Sequence, residues 1–248
     1  MRLLLSVAIC AASAVCMMAQ TTRTSRASQT FETSAGPVKV TPIYHASTLI
    51  EAGGKAIYVD PAKPSDFTGL PPADLILITD IHGDHMDPAA VATVSKAGTQ
   101  IIAPAAVVKT VTTAKTLSNG QTTKWDQWTI EAIPMYNLVR GPEPGKLFHD
   151  KGRGNGYVLT YGGKRFYFSG DTENIPEMRA LKNIDVAFVC FNLPYTMTPE
   201  EAADGVLAFH PKVVIPYHFR NSDVSIFQKK LEGSGIEVRV LDWYPKKS

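Results

Sequence analysis

The chain has 248 residues, 44% of them hydrophobic, with 25 Lys and Arg against 23 Asp and Glu. That is enough apolar material for one sizeable core or two intimately packed halves. So nearly neutral a balance gives no support for a nucleic-acid or membrane-surface partner.

Residues 1–19 read as a secretory signal peptide. Met1 and Arg2 supply a positive start, an apolar run fills 3–15, and small residues follow to Ala19 and Gln20. The run is too short and wrongly flanked for a stable membrane span, so the expected destination is export, periplasmic or secreted. Cys10 and Cys16 fall in this segment, which leaves Cys190 as the one mature thiol and excludes an internal disulfide. Cys190 sits in the apolar run 186–191 and reads as a small core residue rather than a nucleophile.

Residues 20–36 are rich in Thr and Ser and are expected to be a flexible lead-in to one domain over 37–248. Short β-rich runs follow at 38–44, 48–51 and 56–59, with Gly53 and Gly54 turning between the last two. The run 73–78 is continuously apolar and predicts a strand buried on both faces. Directly after it comes Thr79-Asp80-Ile81-His82-Gly83-Asp84-His85, with four potential metal ligands within six residues. Carboxylates and imidazoles at the end of a buried strand are costly unless something satisfies them. A divalent metal would, since His and Asp are the nitrogen and oxygen donors that zinc, iron and manganese accept.

Asp87-Pro88 predicts an N-cap and first helical position, with the helix running to about Lys96. A strand at 100–103, a short helix at 104–111 and strands at 120–124 and 128–133 close the first half. From 137 to 156 the pattern stops, and the segment carries Arg140, Lys146, His149, Lys151 and Arg153. So long an irregular stretch in a compact domain reads as an active-site loop. The second half repeats the grammar of the first. A hairpin at 157–161 and 165–168 leads to Ser169-Gly170-Asp171, which puts a carboxylate at a strand end. Then come a helix at 176–181, a strand at 184–191, a helix at 198–209, a strand at 213–217 ending on His218, a helix at 222–232 and a strand at 237–241. Hairpins followed by strand–helix units, twice over, predict an α/β fold: a four-layer αββα sandwich of two mixed sheets with outer helices.

The order of these candidate ligands resembles the metallo-β-lactamase superfamily. Its motif His-x-His-x-Asp-His is followed by a distant His, a Gly-Asp and a final His after a strand. The matching residues are His82, Asp84 and His85, then His149, Gly170-Asp171 and His218, and the resemblance covers roughly 38–241. Asp80 departs from the pattern, standing where the family usually has His. A carboxylate can replace an imidazole as a ligand, or Asp80 can stand behind the ligands. The resemblance implies two divalent metal ions, zinc first and manganese or iron as alternatives. Their ligands would be Asp80, His82, Asp84, His85, His149, Asp171 and His218, with Asp171 bridging. It implies a hydrolase in which a metal-bound hydroxide attacks an ester, lactone or phosphodiester, with Asp84 as catalytic proton acceptor.

Further stretches are similar to the branch containing ascorbate-6-phosphate lactonase and N-acylphosphatidylethanolamine phospholipase D. They are Tyr44-His45-Ala46-Ser47, Val59-Asp60-Pro61, Gly154-Asn155-Gly156-Tyr157 and the residues 167–172. This places His45 near the metals, as a substrate contact or behind a ligand, and Asp60 as a carboxylate orienting a ligand histidine. Asn192 and Tyr195 follow a strand at the same end and are expected to line the pocket as substrate contacts or to stand behind a ligand. Arg140, Lys146, Lys151 and Arg153 are either cations for an anionic small-molecule substrate or solvated loop charges. His210, before Pro211, reads as surface. The alternative function is a metal-binding protein of the same fold with little turnover, Asp80 being the suspect change. The completeness of the other positions favours the enzyme.

Overall fold

The computed structural model describes residues 27–245, so the expected signal peptide lies outside the described residues. In the first half, β1 (Gln29–Phe31), β2 (Val38–Tyr44), β3 (Ser47–Ala52) and β4 (Lys55–Val59) form an antiparallel meander. The sheet then continues in parallel through β5 (Leu75–Leu77), β6 (Gln100–Ala103) and β7 (Lys115–Thr116). The second sheet is built the same way. Its meander is β8 (Thr122–Trp125), β9 (Trp128–Met135), β10 (Gly154–Tyr161) and β11 (Lys164–Phe168), and its parallel part is β12 (Val186–Cys190), β13 (Val213–Tyr217) and β14 (Glu237–Val238). Each sheet has seven strands, and sequence order is spatial order in both.

The parallel strands need crossovers, and helices supply most of them. They are α1 (Pro88–Val94), α2 (Ala105–Val108), α3 (Pro176–Arg179), α4 (Pro199–Phe209) and α5 (Val224–Leu231). The boundaries follow local chemistry. Asp87 caps α1 by accepting from the N–H groups of Ala89 and Ala90, with Pro88 at the first turn. Thr198 and Glu201 form a reciprocal capping box on α4.

Strand alternation sorts the core into layers. Ile57, Val59, Leu75 and Leu77 face the space between the sheets, where they join Ile130, Leu159, Phe168 and Phe188. Their neighbours Ala56, Tyr58, Ile76 and Ile78 face the other way, under Val91, Val94 and Val107 of α1 and α2. On the far side, Ala202, Val206 and Phe209 of α4 and Phe227 of α5 cover the second sheet. The four-layer αββα sandwich expected from the sequence is the fold.

Three details differ from the sequence reading. The expected lead-in over 20–36 is structured from β1 onward, which pairs with β2. The reason is one ring: Phe31 is buried, edge-on to Phe166 at 5.7 Å, with the Arg239 guanidinium over its face. β5 stops short of Ile78 because the next amide, Thr79 N–H, donates to the Asp60 carboxylate instead of to a strand. β7 is two exposed residues paired with β6, too short to carry a side-chain pattern.

Candidate metal centre

The expected ligands leave the carboxyl ends of the parallel strands, where open α/β sheets gather their sites. Asp60 follows β4, the residues 79–85 follow β5, Asp171 follows β11 and His218 follows β13. The motif itself folds into a tight turn, with the N–H groups of His85 and Met86 both donating to the His82 carbonyl. His149 arrives from the long loop, and His45 from the turn between β2 and β3. His45, Asp60 and His218 all have positive φ, of 57°, 49° and 51°. Non-glycine residues seldom adopt this region, and its concentration here fits a site whose surroundings over-determine it. Gly170 has φ 61°, and a Cβ there would lie 2.5 Å from the Met135 sulfur, so only glycine delivers Asp171 at this point.

In three groups of side chains the ligand atoms lie within 4.8 Å of one another. One group is His45, Asp84 and His218. The other two are sets that meet at Asp171: Asp80, His82 and His149 on one side, and His85, Asp171 and His218 on the other. Asp171 touches both: its Oδ2 lies 3.3 Å from His85 Nε2 and 3.3 Å from His149 Nε2, and its Oδ1 lies 3.4 Å from His218 Nε2. Close as they are, these atoms do not meet in hydrogen-bond geometry. His85 Nε2, His149 Nε2, His218 Nε2 and Asp171 Oδ1 are all buried without a hydrogen-bond partner. Buried polar atoms in this state call for an explanation, and a coordinated cation supplies it. The donors therefore fit a bound divalent cation.

Behind the donors stands a layer of orienting groups. Asp60 is fully buried, and its Oδ2 accepts from His85 Nδ1 at 2.8 Å and from the Thr79 hydroxyl at 2.6 Å. Its Oδ1 accepts from Thr79 N–H at 2.7 Å. This turns His85 Nε2 towards Asp171. Asn137 does the same for His149, accepting from its Nδ1 at 2.7 Å and from its backbone N–H at 2.8 Å. Glu173, two residues after Asp171, accepts from the N–H groups of Leu138, Val139 and Arg140 and so shapes the start of that loop.

Electrostatics follow the same geometry. Burial by itself pushes the Asp171 carboxyl up, but the imidazoles of His218, His85 and His149 hold it well below the usual range. Burial pushes His85 down, yet Asp171 and Asp60 on either side raise it well above an ordinary histidine. Asp84 is likewise held low against burial, by the neighbouring imidazoles of His218, His45 and His85. His45 is lowered to about 4, first by burial and then by the neighbouring His218. It is therefore neutral near pH 7, with Nδ1 at 2.7 Å from the Tyr244 hydroxyl and Nε2 at 3.3 Å from Asp84 Oδ2.

The site opens on a cavity of about 470 Å³ beside Asp84, lined among others by Tyr44, His45, Lys63, Ser65, Arg220 and Tyr244.

A family model described as the beta-lactamase superfamily domain matches residues 39–218. The chain belongs to the beta-lactamase superfamily. A UPF0173 metal-dependent hydrolase from Pyrococcus furiosus is 32% identical over 228 residues, covering 82% of this chain and 96% of its own. A second, from Deinococcus radiodurans, is 32% identical over 179 residues, covering 67% and 76%. Among solved structures, a metal-dependent hydrolase from Parabacteroides distasonis superposes with a TM-score of 0.84 at 40% identity, covering 89% of this chain and all of that one. The metallo hydrolase Igni18 from Ignicoccus hospitalis superposes with a TM-score of 0.68 at 26% identity, covering 82% and 94%.

Within this beta-lactamase superfamily fold, the segment carrying Asn192 and Tyr195 stands behind the donors. Asn192 and Tyr195 do not line the cavity beside Asp84. Instead the Tyr195 carbonyl accepts from Asn137 at 2.9 Å, so this segment supports His149 from behind. The loop cations are also spoken for: Arg140 pairs with Glu201, Lys146 with Glu143, Lys151 with Glu177 and Arg153 with Asp80. Sequence reasoning missed Asn137, Glu173, Lys63, Arg220 and Tyr244. Only Glu173 had a local signal, its place two residues beyond Gly170-Asp171.

Proposed function

We propose that the chain is a metal-dependent hydrolase that cleaves an ester, lactone or phosphodiester bond with two divalent ions. The observation that carries this reading is Asp171, whose one oxygen lies 3.3 Å from an imidazole of each donor set. Asp80, His82 and His149 would hold one ion and Asp84, His85 and His218 the other, with Asp171 shared. Mixed imidazole and carboxylate donors suit zinc, with manganese or iron as alternatives. Ions held there supply Lewis acidity towards the scissile group and a water of lowered pKa. The chain's own residues do the rest. Asp84 Oδ2 accepts a proton at the cavity wall, and neutral His45, tethered to Tyr244, keeps that carboxylate in place. Cys190 is no rival nucleophile: it is buried, and burial above all pushes its thiol up to about 12.

An anionic substrate group is part of the proposal, and it moves from the loop to the cavity. Lys63 and Arg220 line that space, Arg220 with a single 3.5 Å contact to Asp84 and half its side chain exposed, whereas the four loop cations are held closer by carboxylate partners of their own. The resemblance to the lactonase and phospholipase branch supports lactones and phosphodiesters as the first substrates to try. Export is the matching proposal for location, supported by the signal-like residues 1–19. No helix among the described residues is long and apolar enough to cross a membrane. The test is a screen of zinc-reconstituted protein across lactones, phosphodiesters and β-lactams, before and after chelation. Activity that survives complete metal removal, or a trapped acyl- or phosphoryl-enzyme, would refute the mechanism.

A further inference from the structure

The two donor sets are chemically alike. Each offers two imidazoles and one aspartate of its own, and both share Asp171. They differ in what else grips the aspartate. Asp80 is fully buried, and the Arg153 guanidinium spans it, Nε donating to Oδ1 at 3.2 Å and Nη2 to Oδ2 at 3.1 Å. His82 Nδ1 lies a further 2.8 Å from Oδ2. Asp84 also meets an arginine, but by one contact at 3.5 Å, and that partner, Arg220, is 51% exposed against 19% for Arg153. A two-pronged contact away from solvent withdraws more from a carboxylate than a single, longer, screened one.

The placement of Arg153 is built into the fold. Two residues on, Asn155 N–H donates to the Thr79 carbonyl at 2.9 Å, which fixes the start of β10 against the residue before Asp80. Between them, a Cβ on Gly154 would lie 2.9 Å from that same carbonyl, so the glycine permits the approach. The histidines differ as well. His82 is 43% exposed, whereas His85 and His218 are buried and stack with ring centroids 4.9 Å apart.

We propose that Arg153 makes the two metal positions unequal: the one on Asp84, His85, Asp171 and His218 fills first, and the one on Asp80, His82, Asp171 and His149 is the weaker. The guanidinium neutralises the Asp80 carboxylate and occupies a lone pair on each of its oxygens, leaving a poorer donor. Arg153 is thus a positioning residue acting through Asp80, and its role rests on the two-metal reading above.

The test is a titration of chelator-stripped full-length protein with Zn2+ against a chromophoric competitor, with metal counted after gel filtration. Wild type should give two stepwise constants at least about tenfold apart, the scale on which groups behind a ligand act. Arg153→Gln should tighten the weaker constant by about tenfold and leave the tighter one in place. Arg153→Lys, whose ammonium is a point charge rather than a fork, should fall between and guards against a misfolded Gln variant. Asp80→Asn should weaken only the second constant. Two equal constants in wild type, or loss of the weaker site in Arg153→Gln, would overturn the proposal. No zinc uptake at all by wild type would instead refute the metal-dependent reading beneath it.

Discussion

Replacing Asp60 by Asn keeps the volume of the side chain and removes one charge from a fully buried position. The retained oxygen still accepts from Thr79 N–H, but an amide NH2 then stands where Oδ2 accepted from the Thr79 hydroxyl and from His85 Nδ1. Two donors cannot share that line, so His85 must shift its proton to Nε2, the nitrogen that faces Asp171. Hydrogen bonds to a charged group contribute about 1.5–3 kcal/mol each and neutral ones about half that, so converting two costs roughly 1.5–3 kcal/mol before any relief. Relief comes from burial, which pushes the Asp60 carboxyl up against the pull of His85 and Thr79 and disfavours its charge. A net loss of about 2 kcal/mol is expected, or a fall of about 4–8 °C in Tm for a domain of this size. Zinc affinity should fall by about 10–100-fold, because the nitrogen needed for coordination is protonated. Thermal unfolding of stripped and zinc-loaded protein separates the two effects, since zinc should stabilise wild type far more than the variant. If Asp60→Asn binds zinc as tightly as wild type, Asp60 does not orient His85 and the argument fails.

Asn137→Ala should loosen His149 and the loop that carries it, costing about 1–3 kcal/mol of stability for the groups left unpaired. Chelator competition should show the loss at the weaker metal step. His45 is held to about 4 in the fold against 6.5 unfolded. A lowered histidine contributes stability that is present above the unfolded value and lost as pH falls from 6.5 towards 4, here roughly 3 kcal/mol in all. Denaturant melts of wild type and His45→Asn across that range should therefore converge or cross on acidification, and a constant difference would refute the burial argument. Lys63→Gln should raise KM for an anionic substrate by about tenfold, the worth of one charge-assisted hydrogen bond, and so lower the preference for anionic over neutral esters. An unchanged preference would remove Lys63 from substrate recognition.

The strands and helices were largely legible because their signals are local. The continuous run before Thr79 gave β5, Asp87-Pro88 gave the start of α1, and the pair of Gly162 and Gly163 gave the turn between β10 and β11. Phe31 was not, since a lone ring in a polar stretch has no period, and its value lies in Phe166 far along the chain. The ends of β5 and the loop after β9 were similarly hidden, set by Asp60 and Glu173 from elsewhere in the sequence.

The ligand cluster at 80–85 shows the same division. Sequence alone determined which residues carry nitrogen and oxygen donors and that they sit at strand ends, because residue type and strand polarity are encoded locally. Which donors share Asp171, that Asn137 backs His149, and that Arg153 grips Asp80 were decided only by the tertiary structure. Those pairings join residues 12 to 86 positions apart, brought together by two sheets packing face to face, and no local pattern records such a meeting.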